Sequence, residues 1–207
     1  MIRISTTTLE SFRRVVETEY GDETELIASI KGQVKPTWQM EAGTAWGESI
    51  QAGENTWKGY QFAKDDIADA RKLLGPGLWE VKGTRRFDIY QLPVEVVAKV
   101  DHIRGDDIQE NKAKFSPADS RDYESSLQWR FYLAVHEAAS VRYNLFSIGE
   151  RDGDGFWPLR GILSFSFFPY VSLEADCRRW VSRFVGWAAD RQLLGFLDRE
   201  GSTPEAA

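Results

Sequence analysis

The chain has 207 residues, 42% of them hydrophobic and 28% charged, a composition that suits one globular domain with a real core and excludes general disorder. Its net charge of −6 argues against a surface that coats nucleic acid broadly, because phosphate binding rests on Lys and Arg, although it permits a site that grips DNA locally. A single cysteine, Cys177, excludes an internal disulfide or a cysteine metal cage. With no run of 18 apolar residues, and no apolar segment in MIRISTTTLESFRR, neither a membrane span nor a signal peptide is expected, and cytoplasmic residence is the simple reading.

In chain order, Thr6 to Tyr20 reads as an amphipathic helix with a hydroxyl N-cap, closed by Gly21. Glu25 to Ile30 gives a turn or two of helix before Gly32, and Glu41 to Gln51 a third helix. Phe62 to Leu74 is another amphipathic helix, stopped by Gly75-Pro76-Gly77. Leu78 to Val100 supplies strands, the last of which, Val94 to Ile103, is rich in β-branched residues and stops at the turn cluster Arg104-Gly105-Asp106-Asp107. A strand from Ile108 to Phe115 follows. Ser116-Pro117-Ala118-Asp119 then starts a helix whose apolar stripe is Leu127, Phe131, Ala134, Val135 and Ala138. Val141 to Ile148 and Phe156 to Val171 form a hairpin around Arg151–Gly155, with Pro158 and Pro169 marking strand ends. Asp152 and Asp154 lie in that turn and lack the further ligand spacing of a calcium loop. Leu173 to Leu197 is a long helix, and the small polar tail 201–207 is expected to be disordered, leaving a single domain over 1–200.

Chemistry concentrates in the first hairpin. Whether its loop is Gly105-Asp106 or all of Arg104–Asp107, the register opposes Ile103 to Ile108 and Asp101 to Glu110. Directly opposed carboxylates are unfavourable neighbours and raise one another's pKa unless a cation lies between them. Lys112 falls on the same face as Glu110 by the period-two rule. Two carboxylates and an ammonium at one spot suit a hard divalent cation such as Mg²⁺ or Mn²⁺. Gln128 and Tyr132, four apart, are neighbours on the following helix and offer an amide and a phenol.

Asp101, Glu110-Asn111-Lys112 and Gln128-Trp129-Arg130-Phe131-Tyr132 together resemble the D…ExK…QxxxY arrangement of the PD-(D/E)XK nuclease superfamily, and within it the RecB, Cas4 and phage-exonuclease branch. Ile4-Ser5 with Leu9 and Phe12, and Gly43-Thr44-Ala45-Trp46, are similar to the first helices of that branch. The resemblance implies an α/β (α+β) fold, a restriction-endonuclease-like core with a central mixed β-sheet flanked by α-helices. It also implies metal-dependent hydrolysis of DNA phosphodiesters from an end, in recombination, repair or phage DNA processing. The ligands would be Asp101, Glu110 and the backbone carbonyl of Asn111. Lys112 would neutralise charge on the phosphorus or position the water, and Gln128 and Tyr132 would contact DNA or orient the carboxylates. The implied partners are DNA and a recombination or annealing protein. Where relatives carry a His or Glu ligand on an early helix, this chain has Gly47; Glu48, next door, is the candidate metal ligand in its place, although one residue turns a helix by about 100°. Two alternatives stay open: a catalytically silent module of the same fold that binds DNA or protein, and a restriction-type or junction-resolving endonuclease.

Other residues carry less. Glu80-x-Lys82 is a second E-x-K without a paired Asp before it or a Q-x-x-x-Y after it. His102, next to Asp101, points to the opposite face, and His136 lies four after Tyr132. The basic groups Lys82/Arg85/Arg86, Lys112/Lys114 and Arg178/Arg179/Arg183 read as solvated faces.

Overall fold

In the computed structural model, which describes residues 1–18, 21–117 and 119–197, the chain opens with β1 (Ile2–Ser5), α1 (Thr6–Glu17), α2 (Glu23–Ile30) and α3 (Trp38–Ala52). A small hairpin of β2 (Thr56–Trp57) and β3 (Tyr60–Gln61) precedes α4 (Lys64–Leu74), β4 (Leu78–Ile89), β5 (Leu92–Arg104) and β6 (Asp107–Lys114). Then come α5 (Arg121–Glu124), α6 (Leu127–His136), β7 (Ser140–Ile148), β8 (Leu159–Phe167), α7 (Leu173–Asp190) and a 3-10 turn at Leu194–Phe196. Tyr20, Ala118 and the tail 201–207, expected to be disordered, lie outside the described residues.

Side-chain oxygens set the helix starts: Ser5 accepts from the Thr8 N–H, Asp22 from Thr24 and Glu25, and Thr37 from Met40. Several expected boundaries move, among them three in α6 and the last helix. The helix expected from Ser116 begins only at Leu127, because the groups that satisfy its first N–H donors are Ser126 Oγ, 3.2 Å from the Gln128 nitrogen, and the carboxylate of Glu10, 2.7 Å from that of Leu127. That helix ends at His136, with Glu137 left-handed at φ 52°, so Ala138 is buried beyond the helix rather than on its stripe. The last helix stops at Asp190, short of Leu197; Leu193 and Leu197 still reach the core through the 3-10 turn.

The strands form a six-stranded mixed sheet in the order β1-β5-β6-β7-β8, with β4 on the other side of β5. One edge of β5 is shared. β1 lies parallel to Val94–Val97, and β6 is antiparallel to His102–Arg104. Helices α1, α6 and α7 cover one face, over Val96, Phe87, Val141, Tyr143 and Leu145, while α3 and α4 cover the other, over Phe146 and Ile148. Neighbouring residues of β7 thus feed opposite layers, as the two-residue period requires. Among the described residues no helix is long and apolar enough to cross a membrane.

Two local features position α6. His136, at its end, is hydrogen-bonded to the Ala98 backbone and packs over Gly83, where a Cβ would come within 2.7 Å of the imidazole Cε1. Close approach of helix to sheet at this point therefore depends on a glycine. The helix's other end is held by Glu10 of α1. Its carboxylate accepts from Arg13 Nη2 (2.8 Å), Arg14 Nε (3.2 Å), Ser126 Oγ (3.1 Å) and the Leu127 N–H (2.7 Å). Burial alone would raise the Glu10 pKa, but Arg13 and the Leu127 N–H outweigh it and hold the carboxyl below its ordinary range.

A carboxylate with a depressed folded-state pKa contributes stability above its unfolded value, near 4.3, and loses it as pH falls through the folded one. Glu10→Gln is therefore expected to destabilise the protein by about 2–3 kcal/mol at neutral pH, because buried Arg13 then keeps only the more distant Glu17 as an ion-pair partner. In urea titrations the gap to wild type should narrow below about pH 4; a gap independent of pH would remove the ionised Glu10 from this account.

Candidate active site

The site grows out of the β5–β6 hairpin. Its loop is the two residues Gly105-Asp106, with Gly105 at φ 61°, a value that favours glycine. The resulting register pairs Arg104 with Asp107, Ile103 with Ile108 and His102 with Gln109. Continued by one residue it sets Asp101 against Glu110, but pairing ends there. In its place the Asn111 N–H donates to Asp101 Oδ2 at 2.8 Å. The β4 side is interrupted at the same point. Asp101 and Glu80 fall unpaired between Trp79–His102 and Val81–Val100, and Glu80 has φ 55°. Trp79 packs in the α3–α4 layer and Val81 in the α6 layer, so the pleat changes face at this break. Asp101 thereby stands between two carboxylates rather than within a regular ladder.

Glu110, 1% exposed, is the centre of the cluster. Its Oε1 accepts from Lys112 Nζ at 2.5 Å and from the Tyr132 hydroxyl at 3.3 Å. Gln128 Nε2 in turn donates to the Tyr132 oxygen at 2.7 Å. The second oxygen, Oε2, is buried with no hydrogen-bond partner among the described residues. Such an orphan acceptor is costly unless a cation or proton meets it.

The electrostatics follow from crowding. Burial first, and then the negative charge of Glu110, push Asp101 up to about 7, with a further contribution from Glu80. Burial would depress the Lys112 ammonium, yet Glu110 and Asp101 reverse this and hold it above its ordinary value. Tyr132 is raised well above the usual phenol range by burial and then by Glu110 and Asp101, so it stays a neutral donor.

The sequence-derived residues Asp101, Glu110, Lys112, Gln128 and Tyr132 are therefore brought together, the last two as a relay onto Glu110. Asn111 contributes its N–H to Asp101. Glu48 does not join them. Helix α3 packs on the other face of β6, where Gly43 approaches Ala113, and among the described residues no three His, Cys, Asp or Glu side chains are grouped to hold a metal. Gly47, one turn after Gly43, has open space beside it. His102 is fully buried beneath Trp79 on the opposite face, as expected. His136 is a packing residue over Gly83 rather than part of the cluster.

Four contributors were not legible in the sequence: Glu10 and Ser126, which anchor α6, Tyr143, directly opposite Glu110 on β7, and Glu80 beside Asp101. Ser126 alone had a usable signal, a hydroxyl just ahead of Leu127-Gln128.

The donor set fits a hard cation. Asp101 and Glu110 supply two carboxylates and one orphan oxygen, and Mg²⁺ is commonly held by one or two carboxylates with water completing its shell.

No family model and no curated protein matches the chain. Solved structures do match its fold. A putative exonuclease from Eubacterium rectale is similar with a TM-score of 0.57 at 12% identity, over 95% of this chain and 83% of that one. SSO0001 aligns with a TM-score of 0.54 at 13% identity, over 90% and 77%. LHK-Exo in complex with dAMP aligns at 0.50 and 13%, over 91% and 88%. The mixed sheet flanked by helices is thus a fold shared with exonuclease structures.

An acid whose folded-state pKa is raised loses stability as pH climbs from its unfolded value to its folded one. In metal-free protein, Asp101→Asn is expected to stabilise the fold by an amount that grows between about pH 4 and about pH 7 and is flat above. Thermal melts in EDTA across that range check it; a constant difference would mean that Asp101 is not crowded.

Proposed function

We propose that the protein is a metal-dependent deoxyribonuclease that hydrolyses phosphodiester bonds at DNA ends. The reading is carried by one observation. Asp101, Glu110 and Lys112 meet at a break in the sheet, with Gln128 and Tyr132 bonded onto Glu110, in a fold shared with exonuclease structures.

Asp101 and Glu110, with the Asn111 carbonyl, would hold Mg²⁺ or Mn²⁺, which when bound supplies charge neutralisation at the scissile phosphate and a water of lowered pKa. Lys112 keeps its proton beside two carboxylates, so its role is to stabilise negative charge gathering on the phosphorus rather than to act as a base. Its side chain is 33% exposed, enough to meet a substrate, whereas that of Glu110 is 2% exposed. Tyr132 and Gln128 act on Glu110: the phenol donates to Oε1 and the amide fixes the phenol, leaving Oε2 as the free ligand atom. DNA is the partner of this reading, and a recombination or annealing protein would take up the processed ends.

One observation favours a second reading, a DNA-binding module without hydrolysis. Among the described residues no third His, Cys, Asp or Glu is grouped with the two carboxylates, and Gly47 stands at the position where the resembled branch carries a ligand.

The test compares end-labelled linear duplex with closed circular DNA in Mg²⁺ or Mn²⁺, wild type beside Glu110→Ala and Lys112→Ala. Loss of linear DNA alone is expected, reduced about 100-fold or more by either substitution. Cleavage of the circle would make the protein an endonuclease. DNA bound without hydrolysis would establish the binding module.

A further inference from the structure

A second feature lies on the α3 face, outside the carboxylate cluster. The β2–β3 hairpin turns through Lys58-Gly59, with both residues at positive φ, 44° and 87°. This pattern suits Asn-Gly or Gly-Gly, because a side chain with a long stem is strained there. The turn nevertheless carries a lysine. Beside it is a cavity of about 250 Å³ lined by Glu41, Thr44, Trp57, Lys58 and Tyr60. Such a volume lies just below the range of ordinary ligand pockets, too small for a duplex and suited to one flat ring system.

From that cavity an aromatic row leads towards β6. Tyr60 lies 5.9 Å from Trp157, Trp157 stacks on Trp38 at 5.8 Å, and Phe115 lies 5.2 Å from Trp38. Trp38 is 49% exposed although it holds these contacts. Phe115 closes the row at the end of β6, whose Lys112 and Lys114 stand on the other face with Glu110 and Tyr123. Aromatic faces beside an ammonium, here that of Lys58, are what an unpaired nucleic-acid strand uses: bases stack and phosphates pair.

We propose that this cavity binds one unpaired nucleotide of a DNA end, with the aromatic row offering further stacking surface to the strand on the α3 face. The base stacks on Trp57 or Tyr60, Glu41 accepts from an exocyclic amine, Thr44 makes a hydroxyl contact, and Lys58 meets the phosphate. The inference rests on the nuclease reading and narrows its substrate to DNA with a single-stranded terminus.

The experiment measures binding of fluorescein-labelled oligo-dC, and of a blunt hairpin duplex, in EDTA with varied salt. Trp57→Ala is expected to weaken oligo-dC binding about tenfold. Lys58→Asn should lower its salt slope by about 0.7 while the thermal midpoint holds or rises, because Asn suits the turn better. Duplex binding should stay unchanged in both. Oligo-dC affinity that survives both substitutions, or duplex affinity that falls in parallel, overturns the proposal. If that happens while blunt duplex is still hydrolysed in Mg²⁺, the nuclease reading stands alone. Trp57-dependent binding without any hydrolysis leaves the pocket standing alone, and no DNA binding or hydrolysis removes both.

Discussion

Two carboxylates crowded against each other out of water are an unfavourable pair, and much of this molecule is arranged so that Asp101 and Glu110 can remain one. The opposed ladders of β4 and β6 both give way at Asp101, so a backbone N–H from Asn111 reaches it. Lys112 returns its ammonium to Glu110, and a helix crosses beneath to deliver a phenol to the same oxygen. Each device offsets part of the repulsion, yet one oxygen of Glu110 is left without a partner. Among the described residues it is the one buried carboxylate oxygen without a hydrogen bond, a cost that a cation or a proton would relieve.

The strand that carries Glu110 is weak by its own chemistry. Asp107–Lys114 reads DIQENKAK, with a single β-branched residue and no clean alternation of apolar and polar positions. Its register comes instead from polar bonds on the face away from the carboxylates. Gln109 Nε2 donates to the Leu74 carbonyl, Asn144 Nδ2 to Asn111 Oδ1 and Gln109 Oε1, and Ser164 Oγ to Asn144 Oδ1. Asn144 is fully buried, so this seam is specified by satisfied hydrogen bonds rather than by hydrophobic pattern. One face of β6 therefore fixes where the other face presents its charges.

Much of this was readable because local rules and global fold agree. The hairpin register followed from a glycine-bearing turn, and the face shared by Glu110 and Lys112 from a two-residue period. Gln128 and Tyr132 were placed together by helical spacing alone. What escaped the sequence depended on distance or brevity. Strand β1 is only Ile2–Ser5, too short to show a period, and Glu10 looks like any surface carboxylate with arginines at i+3 and i+4. The start of α6 at Ser126 rather than Ser116 was decided by Glu10, a partner 117 residues away from Leu127. Ser116-Pro117 satisfied the local rule for a helix start and lost to that tertiary bond. Glu80 was set aside as an idle E-x-K, since nothing in its neighbours announces a left-handed residue beside Asp101.

The Glu10 anchor also has a bearing on biogenesis. Its guanidinium partners lie within the next turn of α1, whereas Ser126 and Leu127 are made much later. During synthesis Glu10 leaves the ribosome together with Arg13 and Arg14, which can balance its charge long before Ser126 and Leu127 are made. Strand β6, α6 and β7 are contiguous, but β6 and β7 pair in parallel across the α6 crossover, with partners 33 residues apart. The charge that holds the α6 start is thus compensated by arginines close to it in sequence, so its burial against α6 does not depend on a distant cation.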